Sequence, residues 1–200
     1  MKNIIYVWVG GNKPPKVLEC IDSWKHQMPD WNFIEINENT FEIDNKYYND
    51  AKEHKHYAYM SDYLRLKALY EYGGIYLDTD VIVYKPLDEF LNNDFFTGWE
   101  QPNYPVCAVM GAKKGNKLIK EMLDQYDKEV FETHDNWWEY RTNTMILSDV
   151  IGKYIDRNKY EYQSVDGITI YPRKYFTKND DGVIDKETYA EHLMLGNWKN

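Results

Sequence analysis

Gly73-Gly74-Ile75-Tyr76-Leu77-Asp78-Thr79-Asp80-Val81-Ile82-Val83-Tyr84 is the stretch whose reading decides the fold. The glycine pair ends the element before it, because glycine takes left-handed backbone angles without a side-chain clash. Ile75, Tyr76 and Leu77 then read as a short buried strand. Two carboxylates separated by one residue stand at its exit, and a second apolar run follows. Carboxylates so spaced can converge on one hard divalent cation, and Mg²⁺ and Mn²⁺ both prefer such oxygen ligands. An ion held there would neutralise the charge of a departing phosphate. A bare Asp-x-Asp is also an ordinary solvated turn. The hydrophobic strand and the glycine pair in front of it favour the metal reading.

Working outward, residues 57–72 predict the clearest helix of the chain. Ala58, Met60, Leu64, Leu66, Ala68 and Leu69 give it a broad apolar surface. Asp62 and Arg65 fall three apart on that helix and so share a face. By spacing alone they read as a surface ion pair. Further toward the N-terminus, the apolar run 3–9 exits at Gly10-Gly11 as a strand. A helix over roughly 16–27 carries Val17, Leu18, Ile21 and Trp24 at helical spacing, and 31–36 alternate as a second strand. Strand, helix, strand in this order is the pattern of an α/β sheet with crossover helices. Residues 40–56 are polar, and read as irregular or briefly helical. Downstream, 95–99 and 108–112 read as strands. Residues 116–130 form a helix with Leu118, Ile119, Met122, Leu123 and Tyr126 inward. A helix near 144–155 and a last strand at 168–171 follow.

The 200 residues carry 43% hydrophobic and 28% charged side chains, which suits one globular domain over 1–200 with a substantial core. The net charge of −9 disfavours nucleic acid as a partner and a polybasic membrane anchor. No run approaches the ~18 apolar residues of a membrane span. The sequence therefore points to a cytoplasmic protein, with room for peripheral contact at the inner face of the membrane. Cys20 and Cys107 lie in apolar surroundings without a CxxC partner and read as buried free thiols. The 19 tyrosines suit both a core and the wet aromatic walls on which sugars stack.

The run from Tyr57 to Asp80 resembles the DXD sugar-binding region of glycosyltransferase family 32. It is also similar to the catalytic domain of the large clostridial glucosylating toxins. The likeness extends to Ile5-Tyr6-Val7-Trp8-Val9-Gly10-Gly11 and to Val83-Tyr84-Lys85-Pro86-Leu87. It implies an α/β fold of GT-A type, with a mixed central sheet flanked by helices. It also implies a divalent ion (Mn²⁺ or Mg²⁺), a nucleotide-diphosphate sugar donor, a saccharide or lipid-linked saccharide acceptor, and retention at the anomeric carbon. Carried over by position, Trp8 stacks on the base, although a core aromatic is the competing reading. Asp62 holds ribose or sugar hydroxyls, and Arg65 holds the sugar or diphosphate. Asp78 touches sugar, ribose and metal-bound water, and Asp80 binds the metal. Asp78, Asp80 and Arg65 are thus the residues expected to act in catalysis.

In the tail, His192, Gly196 and Trp198 look like the closing element of that family, with His192 a third metal ligand or else a structural histidine. Asn197 and Leu193 depart from the family pattern, which bears on the phosphate contact. Residues 190–200 are expected to fold over the donor. Placement near strand ends adds Glu100, Gln101 and Asn143 as substrate contacts, and Trp137 and Trp138 as an aromatic platform or a cap on the core. The resulting expectation is a transferase of a hexose or N-acetylhexosamine, UDP-linked by preference, serving surface-polysaccharide synthesis. Two other readings remain open at this stage. One is a haloacid-dehalogenase-like phosphatase with Asp78 as nucleophile, and the other is a non-catalytic nucleotide-sugar-binding module.

Overall fold

A computed structural model describes residues 2–129, 131, 141–178, 182–184 and 186–196. Ten strands and five α-helices occur among them: β1 (Asn3–Val7), α1 (Pro15–Gln27), β2 (Asn32–Ile36), α2 (Lys46–Glu53), α3 (Tyr57–Tyr72), β3 (Gly74–Leu77), β4 (Val81–Val83), β5 (Phe95–Gln101), β6 (Tyr104–Pro105), β7 (Val109–Ala112), α4 (Lys117–Tyr126), α5 (Asn143–Ile151), β8 (Gln163–Val165), β9 (Ile168–Tyr171) and β10 (Ala190–His192). The main sheet has the order β2-β1-β3-β7-β5-β9-β8, with β6 paired to β5, and β10 pairs with β4 in a separate ribbon.

The pairing is mixed. β2, β1 and β3 run parallel, β7 runs antiparallel to both β3 and β5, and β5 runs parallel to β9. Alternation along β1 splits the core in two, because successive side chains of a strand leave opposite faces. Ile5 and Val7 pack under α2, α3, α4 and α5, whereas Ile4 and Tyr6 pack with α1, Phe90 and Phe176. The result is a mixed sheet with helices on both faces, a GT-A type fold.

This topology collects four chain segments at one edge of the sheet. β1 and β3 end there, β7 begins there, and β5 ends there because it is antiparallel to β7. Open α/β sheets bind ligands outside the carboxyl ends of their parallel strands. The turn between α3 and β3 depends on its glycines. Gly73 and Gly74 have φ of 64° and 132°, and a Cβ on Gly74 would lie 2.5 Å from the carbonyl oxygen of Asn3. That close approach sends α3 back along the sheet with its first turns at the edge where β3 exits.

Several sequence expectations change. Leu18, expected on the inner face of α1, is 48% exposed, and Cys20 lies there in its place with Val17, Ile21 and Trp24. Helix α4 stops at Tyr126 and α5 at Ile151, short of the predicted ends. The strand 168–171 is not the last, because β10 follows it. Strands β6 and β8 were not expected: one is two residues long and contains a proline, and the other is largely exposed. Both cysteines are free and buried, as read.

Candidate functional site

The shared edge opens into a cleft of about 590 Å³. Its walls come from Trp8 after β1, the start of α3, Asp78 and Asp80 after β3, Glu100 of β5, His192 of β10, and Met194 and Gly196 after it. Asp78 leaves β3 with its N–H on the Ala108 carbonyl at 2.8 Å, and its own carbonyl accepts the Val81 N–H at 3.0 Å. A tight turn therefore sets Asp78 and Asp80 side by side.

Arg65 organises one half of the cleft. Its guanidinium lies 2.9 Å from Asp62 Oδ1 and 3.2 Å from Asp78 Oδ1, with side-chain exposures of only 8, 14 and 23% for Arg65, Asp62 and Asp78. The other donors reach Ser61 and the Cys107 carbonyl, and the Tyr76 ring lies 4.7 Å beneath the guanidinium carbon. Every N–H direction of the fork thus meets a protein acceptor. Burial works against the Arg65 charge, but Asp78, Tyr76 and Asp62 outweigh it and hold the group well above its ordinary pKa. Burial pushes Asp62 upward, against the pull of Arg65 and of the Asn143 N–H. Asn143 donates its backbone N–H to Asp62 Oδ2 at 3.1 Å, and its side-chain amide donates to the Asp62 carbonyl and the Tyr126 hydroxyl. Its Oδ1 is buried and has no partner among the described residues.

His192 organises the other half. Its Nε2 lies 3.4 Å from Asp80 Oδ1 and its Nδ1 lies 3.0 Å from Glu100 Oε1. Asp80 is fixed from the tail as well. The Leu195 N–H donates to its Oδ2 at 2.9 Å, and the Leu193 N–H to its carbonyl at 2.9 Å. Burial opposes the His192 charge, yet the bonds to Asp80 and Glu100 push its pKa up to about 10. Burial raises Asp80, but His192 and the Leu195 N–H outweigh this and leave it lowered.

Asp78, Asp80 and His192 each offer a ligand atom, and these atoms lie within 4.8 Å of one another. Two carboxylates and an imidazole are a donor set suited to a divalent ion such as Mn²⁺. Each ligand is also oriented by a neighbour, as metal ligands usually are. Asp78 accepts the Tyr76 hydroxyl at 2.6 Å, Asp80 accepts the tail amide, and His192 meets Glu100. The residues present fit a divalent cation.

The cleft brings together Trp8, Asp62, Arg65, Asp78, Asp80, Asn143, Glu100, His192 and Gly196. Trp8 is half-buried, with its indole N–H on the Gly11 carbonyl at 2.8 Å, so it lines the wall while also packing against the core. Gln101 is exposed and lies outside the lining. Trp137, Trp138 and Trp198 fall outside the described residues. Sequence reasoning missed Tyr76. It stands two residues before Asp78 on one strand, hence on the same face, and that alternation was a usable signal.

Residues 14–97 match the family described as the glycosyltransferase sugar-binding region containing a DXD motif. That span includes Asp62, Arg65, Asp78 and Asp80. Subversion of eukaryotic traffic protein A of Legionella pneumophila is 25% identical over 160 residues, covering 64% of this chain and 25% of that protein. The solved structure of PaToxG glycosyltransferase superposes with a TM-score of 0.56 at 19% identity, over 76% of this chain and 68% of that one. The galactosyltransferase LgtC, solved with donor and acceptor sugar analogs, gives a TM-score of 0.54 at 13% identity, over 95% and 86% of the two chains. At such identities the structural likeness speaks for the fold. The chain spans about a quarter of the length of the first curated relatives it matches.

The fold is of GT-A type, and residues 14–97 carry the likeness to the DXD-containing sugar-binding region. β3 sits in a mixed sheet of that type, which disfavours the phosphatase reading, and the Asp78 carboxylate is engaged by Arg65 and Tyr76.

Proposed function

We propose that this chain moves a hexose or N-acetylhexosamine from a nucleotide-diphosphate sugar, UDP-linked by preference, to a saccharide or lipid-linked saccharide acceptor. Transfer retains the anomeric configuration and uses Mn²⁺ or Mg²⁺. The setting we favour is surface-polysaccharide synthesis on the cytoplasmic side, with peripheral membrane contact. The observation that carries this reading is the convergence of Asp78, Asp80 and His192 beside the Asp62–Arg65 pair in one cleft. The cleft volume suits a nucleotide sugar, since ligand sites of this kind span roughly 300–1,000 Å³. No helix of the described residues is long and apolar enough to cross a membrane.

Asp78, Asp80 and His192 would hold the ion, which when bound supplies positive charge to the diphosphate leaving group. The chain's other residues bind and orient. The second lone pairs of Asp62 accept sugar or ribose hydroxyls, and the Asn143 backbone N–H holds the Asp62 carboxylate in place. Arg65, with its fork fully engaged, holds Asp62 and Asp78 in place. The tail from His192 to Gly196 closes on Asp80 and shields the donor from water. No serine or cysteine nucleophile is needed. Positioning and charge stabilisation supply the rate.

A thermal-shift screen of nucleotide sugars with and without Mn²⁺ tests this. A ligand at about 100 times its dissociation constant adds about 2.7 kcal/mol to the fold. We expect a shift with one nucleotide series and only in the presence of the ion. The coupling constant of the new anomeric proton then reports retention, and a β-linked product from an α-linked donor would contradict it. Binding without any turnover would leave a non-catalytic module.

A further inference from the structure

Glu100 is a half-buried carboxylate in the wall of the cleft. It is the penultimate residue of β5, next to Trp99, which is fully buried and donates its indole N–H to the Glu161 carbonyl at 2.8 Å. Neighbouring side chains of a strand leave opposite faces, so anchoring Trp99 in the core directs Glu100 into the cleft. There Glu100 Oε1 lies 3.0 Å from His192 Nδ1.

An ionised carboxylate can only accept a hydrogen bond, so the shared proton belongs to Nδ1. A neutral imidazole with its proton on Nδ1 presents a bare lone pair at Nε2. That is the nitrogen facing Asp80 Oδ1 at 3.4 Å. Nδ1 has no such choice of role, because Glu100 already occupies it.

We infer that Glu100 is a positioning residue that fixes the His192 ring and its tautomer, so that Nε2 faces the cation site formed with Asp78 and Asp80. This rests on the reading of those three residues as a cation site. It separates Glu100 from the ligands themselves: it acts on the ion through His192. Carboxylates that orient a ligating histidine typically contribute about 10–100-fold to metal affinity.

The test is Mn²⁺ titration of the purified protein, with free ion counted by electron paramagnetic resonance. Wild type is compared with Glu100→Gln, Glu100→Ala, His192→Ala and the Glu100→Ala/His192→Ala double variant. Near-ultraviolet circular dichroism checks the fold of each. Glu100→Ala should weaken Mn²⁺ binding by about 10–100-fold. Glu100→Gln, whose amide oxygen still accepts the Nδ1 proton, should stay within about threefold of wild type. In the His192→Ala background, Glu100→Ala should change nothing further, the signature of one residue acting through the other. If Glu100→Ala does not fold, Glu100→Met keeps much of the side-chain length, offers Nδ1 no oxygen, and carries the same expectation.

Wild-type affinity in Glu100→Ala would overturn the inference. So would a glutamine variant as weak as the alanine one, or an effect that persists without His192, since both would mark a direct contact with the ion or a general structural role. A wild-type protein that takes up no Mn²⁺ at all would instead sink the cation site itself, and this inference with it.

Discussion

The cleft holds two cations, each between two carboxylates, and they differ in what can happen to them. Arg65 sits between Asp62 and Asp78, and His192 sits between Asp80 and Glu100. A guanidinium does not give up its charge in a protein, and its fork is fully engaged. An imidazolium can release its proton and become a ligand. The first cluster is therefore a permanent strut under α3 and β3. The second keeps a place that an exchangeable cation can enter. Asp78 belongs to both, pairing with Arg65 and offering a ligand atom beside Asp80 and His192, and so links the rigid half of the site to the adaptable half.

Removing the strut gives the largest expected stability effect. Arg65→Met leaves Asp62 and Asp78 facing each other without a cation. Breaking a buried pair in this way costs about 3–5 kcal/mol, which for a chain of this size lowers the melting temperature by roughly 6–20 °C. The guanidinium charge is permanent, so Arg65 itself does not titrate between about pH 6 and about pH 9. A loss below about 1 kcal/mol would erase the distinction between the two clusters.

The His192 cluster should respond to pH in the opposite manner. Its folded pKa is raised from 6.5 to about 10. For a raised pKa, the stabilisation is fully present below the unfolded value and is lost as pH rises through the folded one. The metal-free protein should thus lose stability between about pH 6.5 and about pH 10, and His192→Gln should remove that slope. Across the same window Mn²⁺ must displace one proton, so its affinity should rise by about tenfold per pH unit. Calorimetric titrations in buffers of differing ionisation enthalpy count the released proton. A proton count near zero would show that the ion does not take the imidazole.

The tail should matter least of the three. Leu193 and Leu195 bind Asp80 through backbone amides, so the fold of 193–195 shapes the second cluster and not the first. Deleting residues from 196 onward should lower transfer by about tenfold, equivalent to about 1.4 kcal/mol of barrier, and leave most of the stability in place. Stopped assays of the folded fraction, alongside melts, measure both. Full specific activity after truncation would assign this end a structural role.

These clusters were not equally legible in the sequence. Asp62, Arg65, Asp78 and Asp80 all lie on one helix, one strand and the turns beside them, where period and glycine punctuation expose the pattern. Even so, the Asp62–Arg65 spacing by itself favoured a surface pair. Its burial comes from the way α3 is laid across β1, β3 and β7, which spacing cannot report. Glu100 and His192 stand 92 residues apart, and only the antiparallel run of β5 and the pairing of β10 with β4 bring them together. β10 is short and polar, and its hydrogen-bonded partner is far away in sequence, so no local propensity announces it. Leu18 fails for a simpler reason. Helical spacing placed it beside Val17 and Ile21, but one residue's rotation puts Cys20 inward in its stead.

In the proposed reading, the Asp78–Asp80–His192 cluster holds the cation on which sugar transfer depends. Asp80→Asn keeps the side-chain shape and removes the charge. We expect it to fold with a circular dichroism melt close to wild type, to lose Mn²⁺-dependent nucleotide binding, and to drop turnover of a nucleotide sugar by at least about a thousandfold, or about 4 kcal/mol of barrier, in excess Mn²⁺. Near-normal turnover by folded Asp80→Asn would contradict the account.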